Sequence, residues 1–322
     1  MIHSRLLVGR SVLLLALLAA LGALVSPGML QAQDKIRVGV LPFSESLGSV
    51  IADKQGFFKA EGLNVELTRV GSGAEAVPVL QAGKLDIVFS NTVTTLQAIE
   101  AGLDAMLLAP GAVVRVQSPD TTSAVIVLKG TAKTPKDLEG KRVAVNVINS
   151  TAWMYLMALL DKHGADRRKI RIVEVPFPQM NDPLLNGQLD AISQVEPFRT
   201  VITATGKVET IGWAYVETQP NADITQYLAL TSWVQKNQGA AIKFARAVVK
   251  GAQFANANEA ATREINQQFT NLNPALKDKV MIPRFGTEVS LAEIRKTGEL
   301  MVKYGLIKQM PADLGKRVLS FQ

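Results

Sequence analysis

Four short turns carry residue types able to hold a ligand: residues 43–48, Gly71-Ser72-Gly73, Ser90-Asn91-Thr92 and Asn149-Ser150-Thr151. Asn149-Ser150-Thr151 is the most complete, because the apolar run 152–160 follows it directly. Asn tolerates a left-handed backbone, and Ser or Thr at a helix start caps a free N–H with its side-chain oxygen. The other N–H groups of such a start point outward, and where no acid stands among them they can hold an anion. A plain helix cap needs the same residues, so the turn alone leaves both roles open.

Glu196, in Gln194-Val195-Glu196-Pro197-Phe198, follows a predicted strand. Its carboxylate can accept from a ligand ammonium or hydroxyl, or serve in an inter-lobe salt bridge or as a helix-start acid. The cluster Arg167-Arg168-Lys169-Ile170-Arg171 is read as a solvated face before a strand rather than a phosphate or docking site. Catalytic chemistry is poorly supplied. The chain has no cysteine, and its two histidines are His3 and His163. No HExxH, G-x-S-x-G, Walker or G-x-G-x-x-G pattern occurs. Neither a nucleophile–base pair nor a metal site with nitrogen or sulfur ligands is easily built from this inventory. No enzyme activity, cofactor or metal is expected.

The elements that must position these turns alternate between strand and helix. Strands are predicted at 35–40, 65–67, 85–90 and 106–109, with helices between them and glycines at 62, 83 and 102 ending those helices. One helix is expected to run to about Glu61. The alternation argues for a mostly parallel sheet covered on both faces. The unit then recurs: Arg37-Val38-Gly39-Val40 matches Arg142-Val143-Ala144-Val145, Val65-Glu66-Leu67 matches Val173-Glu174-Val175, and residues 80–86 match 185–190. Two lobes of the same β-α-β-α-β topology follow. Segments 121–129 and 226–231 are β-prone and are assigned as two crossings between lobes. The division is then residues 1–32 as a signal peptide, 33–123 with 236–322 as lobe 1, and 124–235 as lobe 2. In the helical tail, Ala241, Ala245, Val248, Ala252 and Ala255 fall on one face, and Ser290 with Glu293 forms a capping box. This tail is expected to pack on lobe 1.

Arg5 and Arg10, the apolar run 12–25, Pro27-Gly28 and a small-residue site at 30–32 mark a secretory signal. The run is shorter than the ~20 residues of a membrane span. About 290 residues remain, enough for two lobes with real cores. A formal charge of +7, two units of it carried by the signal, and 6% aromatics with no basic run among them argue against a nucleic-acid partner. A mild positive bias suits capture of a small anion. The lack of cysteine removes disulfides and a lipid-anchoring thiol, so the mature chain is expected to be free in the periplasm.

Residues 56–65, Gly71-Ser72-Gly73, residues 82–86, residues 137–145, Ser150-Thr151-Ala152 and Glu196-Pro197-Phe198 together resemble the periplasmic solute-binding proteins of ABC importers in the nitrate/sulfonate/taurine group. The resemblance implies a type II periplasmic binding protein: an α/β fold of two Rossmann-like lobes with mixed, mostly parallel sheets, joined by a two-strand hinge and closing over a ligand. It implies ligand contacts at Ser72, Ser90, Asn91, Ser150 and Thr151. The family commonly has Gly where Asn149 stands and often an aromatic residue where Val195 stands; the smaller Val195 suits a bulkier ligand or shifts the stacking role to Trp153 or Phe43. The expected ligand-binding set is Phe43, Ser46, Leu47, Gly71, Ser72, Ser90, Asn91, Asn149, Ser150, Thr151, Trp153 and Glu196. The expected function is monomeric capture of a small organic anion, sulfonate, taurine-like or carboxylate, for delivery to an inner-membrane permease. Two alternatives remain: an enzyme resembling the thiamine-pyrimidine synthases, whose histidine and cysteine-rich motif this chain lacks, and a soluble sensor for a membrane receptor.

Overall fold

The computed structural model describes residues 35–321. The expected signal peptide, residues 1–32, lies outside the described residues. Two five-stranded sheets organise the chain. Its strands are β1 (Ile36–Val40), β2 (Val65–Arg69), β3 (Ile87–Asn91), β4 (Ala105–Pro110), β5 (Ala112–Val113), β6 (Ser123–Leu128), β7 (Arg142–Val145), β8 (Arg171–Glu174), β9 (Ala191–Val195), β10 (Val208–Gly212), β11 (Thr225–Leu230) and β12 (Arg284–Phe285). The first sheet has the order β2-β1-β3-β11-β4 and the second β8-β7-β9-β6-β10. In each, the first strand of the unit lies parallel between the second and third, and one antiparallel strand separates the third from the fourth. The central strands are short and rich in Val, Ile and Ala, as suits strands buried on both faces by crossover helices.

The antiparallel strands are the two crossings. β6 carries the chain out of the first lobe into the second sheet, and β11 brings it back into the first. The internal repeat has a physical counterpart. The backbone N–H and Nε of Arg37 donate to Asp86 Oδ2 at 2.8 and 2.9 Å. Those of Arg142 donate to Asp190 Oδ2 at the same distances. In both lobes one carboxylate ties the first strand to the turn before the third.

Three expectations need correction. The helix expected to reach Glu61 is two pieces, Leu47–Lys54 and Phe57–Ala60, because Gly56 adopts φ 74 and ends the first. The capping box at Ser290 is half formed. Ser290 Oγ accepts from the Glu293 N–H at 3.4 Å, but the Ser290 N–H goes to Asp223 Oδ2 at 2.9 Å instead of to Glu293. The helical tail also divides its packing. Helix Gln238–Ala257 buries its alanine face on Leu47–Lys54, as expected, with Gly251 so close to Gly48 that no Cβ would fit. Helix Leu291–Lys303 instead places Ile294 and Met301 in one apolar cluster with Val93 and Leu96 of the first lobe and Tyr155 and Leu159 of the second. An amphipathic helix can serve two faces in this way when both offer apolar surface.

The Arg–Asp ties set a stability test. Asp190→Ala leaves the Arg142 backbone N–H and guanidinium short of an acceptor, and urea denaturation at pH 7 is expected to show a loss of about 1–3 kcal/mol. Hydrogen bonding from Arg142 holds the Asp190 pKa below its usual value. That stabilisation is present above the unfolded-state pKa and is lost as pH falls through the folded one, so the gap between wild type and variant should close below about pH 4.

Candidate functional site

The carboxyl ends of β1, β3, β7 and β9 open onto a single cavity of about 270 Å³ between the two sheets. This is the edge at which ligands bind in open α/β sheets. A volume just under the ~300 Å³ lower bound usual for ligand pockets fits a small solute. Leu41, Phe43 and Glu45 follow β1, Asn91 ends β3, residues 146–150 follow β7, and Val195 ends β9. Ile224 and Thr225, at the start of the returning strand β11, also line it.

One helix start with unpaired N–H groups meets this cavity from each lobe; a third, that of Thr92–Glu100, reaches it through Asn91 and Thr94, but its Thr92 and Thr94 N–H groups are taken by the Ile224 carbonyl and Asn91 Oδ1. Ser72 caps helix Gly73–Gln81, its Oγ accepting from the Glu75 N–H at 3.2 Å. Ser150 caps helix Thr151–Lys162, its Oγ accepting from the Trp153 N–H at 3.4 Å. The first N–H groups of a helix have no intrahelical acceptor. Those of Gly73, Ala74, Thr151 and Ala152 have none among the described residues, and all four residues line the cavity. Gly73 is required by the close approach of this helix to β3: a Cβ there would stand 2.6 Å from Ser90 Oγ.

Asn149 adopts φ 62, the left-handed conformation its turn requires, and among non-glycine residues Asn is one of the few that adopt it readily. Its carbonyl accepts from Gln97 Nε2 across the cleft at 3.3 Å. A second bridge runs from Thr151 Oγ1 to Asn91 Oδ1 at 2.8 Å. The same Asn91 oxygen caps helix Thr92–Glu100 by accepting from Thr94 N–H at 2.8 Å. On the far side, Phe43 packs edge-on against Phe177 and Phe198 of the other lobe, with ring centroids 5.5 and 6.0 Å apart.

Of the twelve expected ligand residues, Phe43, Ser72, Asn91, Asn149, Ser150 and Thr151 line the cavity. The other six do not. Ser46 Oγ accepts from the Leu41 N–H, and Leu47 faces the cluster around Val50 and Ile51. Gly71 lies outside the cavity wall, its N–H held by Glu75. Ser90 is buried behind Gly73, with its hydroxyl unpartnered among the described residues. Trp153 stacks edge-on against Tyr304. Glu196 is 1% exposed and its oxygens are taken: it accepts from Arg199 Nε, Thr200 Oγ1 and the Thr200 N–H of its own helix at 3.0, 3.0 and 3.1 Å, and from the Met281 N–H at 3.4 Å. Of its alternative roles, this is the helix-start acid; its salt bridge to Arg199 lies three residues on, not across the lobes. His163 pairs with Glu217 at 3.1 Å, outside the cavity wall. In the basic cluster Arg167, Arg168 and Lys169 meet Asp161, Asp166 and Glu139, as a solvated face would.

Sequence reasoning missed Glu45 and Tyr215. Glu45 sits in a turn that the sequence singles out, but its neighbours Phe43 and Ser46 drew the assignment. Tyr215 comes from the short helix Ala214–Thr218, which carries no motif. Burial is the main cause that pushes the Glu45 carboxyl up to about 8, with the nearby charge of Asp120 adding to it. Burial likewise raises Asp120 and Tyr215. No Lys, Arg or His lines the cavity among the described residues. No group of three metal-ligating side chains and no helix long and apolar enough to cross a membrane occurs among them either.

Comparison with known proteins places this geometry in context. The family described as NMT1/THI5 like matches residues 44–261. The chain is 29% identical over 157 residues to the taurine-binding periplasmic protein of Escherichia coli K12, covering 48% of this chain and 46% of that protein. It is 27% identical over 143 residues to a putative thiamine biosynthesis protein of Haemophilus influenzae, covering 44% and 43%. The match thus spans less than half the length of each of these two relatives. Its fold is similar to that of the alkanesulfonate-binding protein SsuA from Xanthomonas axonopodis pv. citri, solved bound to MOPS, with a TM-score of 0.71, 17% identity and coverage of 88% and 98%.

The left-handed turn gives the second test. Asn149→Gly is expected to leave thermal stability nearly unchanged, whereas Asn149→Val should cost about 1–2 kcal/mol, because a β-branched residue resists this conformation. Paired melting curves of the two variants measure the difference.

Proposed function

The chain belongs to the NMT1/THI5-like family, and from that premise we propose that it is the substrate-binding component of an ABC importer, which captures a small organic anion between its lobes for a membrane permease. The observation that carries the reading is the convergence of two helix starts, one from each lobe, on one cavity. Thr151–Lys162 has no acid in its first turn, and the one acid in the first turn of Gly73–Gln81, Glu75, is turned back onto the Gly71 N–H, so the unpaired N–H groups offer an acid group several donors, and helix dipoles favour negative charge at that end. A sulfonate or carboxylate would rest between Gly73-Ala74 and Thr151-Ala152, with Phe43 and Val195 against its apolar part. A single helix-terminus contact contributes about 0.3–1 kcal/mol when exposed, so micromolar binding requires both starts together and a cleft that excludes water.

The lobes at 33–123 with 236–322, and at 124–235, would rock about the crossing segments. The cleft bridges Thr151–Asn91 and Gln97–Asn149 suit a closed form, the form a permease would recognise. Export by the N-terminal segment would put a monomeric receptor in the periplasm, free of a lipid anchor. In this reading the protein performs no covalent step, and the cavity's titratable side chains, Glu45 and Tyr215, act only on binding.

Titration calorimetry with sulfonates and carboxylates, each with and without an amine, tests the reading. At least one is expected to bind with a micromolar or tighter Kd. No heat from any anion, with tight binding of an uncharged solute instead, overturns it. The donors themselves are tested by Thr151→Pro. Proline suits the first helical position and removes its N–H, and the extended Ser150 before it (ψ 177) accommodates the ring. Thr151→Val loses the same hydroxyl bond to Asn91 but keeps the N–H. The proline variant should bind the anion about tenfold more weakly than the valine variant, consistent with loss of one hydrogen bond to a charged group.

A further inference from the structure

The cavity contains one group that an anion alone does not explain. Glu45 lies in the 3-10 turn Ser44–Ser46, and its carboxylate faces the cavity, where it has no hydrogen-bond or ion-pair partner among the described residues. Its neighbours in the same turn are taken: Ser44 Oγ bonds to Asn266 and Ser46 Oγ accepts from the Leu41 N–H. The charged and titratable groups facing Glu45 are Asp120 and Tyr215. Asp120 is fully buried. One carboxylate oxygen accepts from Thr122, and the other, Oδ2, has no partner among the described residues. Arg199 acts on Asp120, but its donors are committed to Glu196 and to the Asp120 carbonyl oxygen at 2.9 Å. This end of the site is therefore lined by acidic groups without a resident cation, while the other end presents the amino ends of two helices.

Glu45 is half-buried, and ionising an acid there without a partner is costly, so in the empty protein it is held in its neutral form. A positive group brought by the ligand offsets that cost. The alternative partner, a resident Lys, Arg or His, does not line the cavity among the described residues.

We propose that the ligand is dipolar, with its acid group on the two helix starts and a cationic nitrogen, ammonium or amidinium, against the Glu45 carboxylate. This deepens the reading of the protein as an anion-capturing receptor and rests on it. The ligand class is a short amino acid-like or aminosulfonate-like solute rather than a simple anion. Because burial holds a proton on Glu45 up to about pH 8, pairing with a cation must expel that proton. Binding is then coupled to proton release. Affinity rises with pH through that range until the ligand's own nitrogen begins to deprotonate.

Calorimetry at pH 6.5 and pH 8.5, repeated in buffers of different ionisation enthalpy, tests the proposal. The ligands are matched pairs that differ only in the amine: 2-aminoethanesulfonate against ethanesulfonate, and 3-aminopropanoate against propanoate. The amine-bearing member of at least one pair is expected to bind at least about tenfold more tightly, to release close to one proton at pH 6.5, and to gain roughly tenfold or more in affinity by pH 8.5. In Glu45→Gln, which keeps the side chain's shape, the amine preference and proton release should both vanish, while the amine-free anion binds as well as or better than before. Thermal melts confirm that the variant is folded. Glu45→Asp keeps the charge and should keep the direction of the preference. If amine-free anions bind wild type as tightly as their partners, with no proton release, the dipolar assignment is wrong while the anion reading stands. If neither member of either pair binds while another anion of the wider panel does, the dipolar assignment fails and the anion reading stands; if no anion binds and an uncharged solute does, both fail.

Discussion

Each sheet lacks a strand that its own lobe does not supply in sequence. The gap between the third and fourth strands of the first sheet is filled by β11, which arrives from the second lobe, and the equivalent gap in the second sheet is filled by β6, which arrives from the first. A buried sheet cannot leave a row of backbone groups unpaired, so both crossings are hydrogen-bonded on both edges. The lobes are bound by that pairing whatever happens in the cleft. It also fixes where the cleft lies. Both crossings run antiparallel to their sheets, so the hinge opens at the carboxyl ends of the parallel strands, where the polar turns already stand.

Within that frame the cleft's chemistry is a matter of which end of each element faces it. Carboxyl ends of strands lead into amino ends of helices, and this places electropositive N–H groups on both walls without any basic side chain. Glu45 interrupts the pattern. The 3-10 turn that carries it is pinned by buried serines on either side, so its carboxylate is held near Asp120 although the two repel. Local instability concentrated in a binding cleft is where a folded protein tolerates it, since a ligand can relieve it.

Much of the frame was legible in the sequence because it rests on local rules and on repetition. Glycines ended helices where left-handed backbone was needed, and the recurrence of the Arg-Val-x-Val strand with an Asp some fifty residues on reflects one Arg–carboxylate tie made twice. The two crossings showed as apolar strands out of sequence with the alternation. Half of the expected ligand residues line the cavity, and the others face elsewhere for geometric reasons. An α-helix turns about 100° per residue. Thr151 and Ala152 therefore face the cavity while Trp153 turns away to Tyr304. The same rotation sends Leu47 into the core while the preceding turn presents Glu45. Glu196 was drawn off by an arginine three residues later, a local pairing compatible with either of its roles until coordinates separated them. Tyr215 had no sequence signal, because its place depends on packing against Tyr155 in a helix far along the chain.

Asn91 shows how closure and local folding share one atom. Its Oδ1 caps the helix that follows β3 and accepts the Thr151 hydroxyl from the opposite wall. The cap is formed whether the cleft is open or closed, because Thr94 belongs to the same helix. An oxygen with two lone pairs can take the second donor without giving up the first. In the closing motion proposed above, the Thr151 bond would therefore be added without breaking the cap, and its cost would fall on Thr151 and the turn at Asn149. That turn is already fixed in the left-handed conformation, so little further ordering is required of it. The wall that bears the helix start at Ser150 is thus preorganised, with little of it left to order.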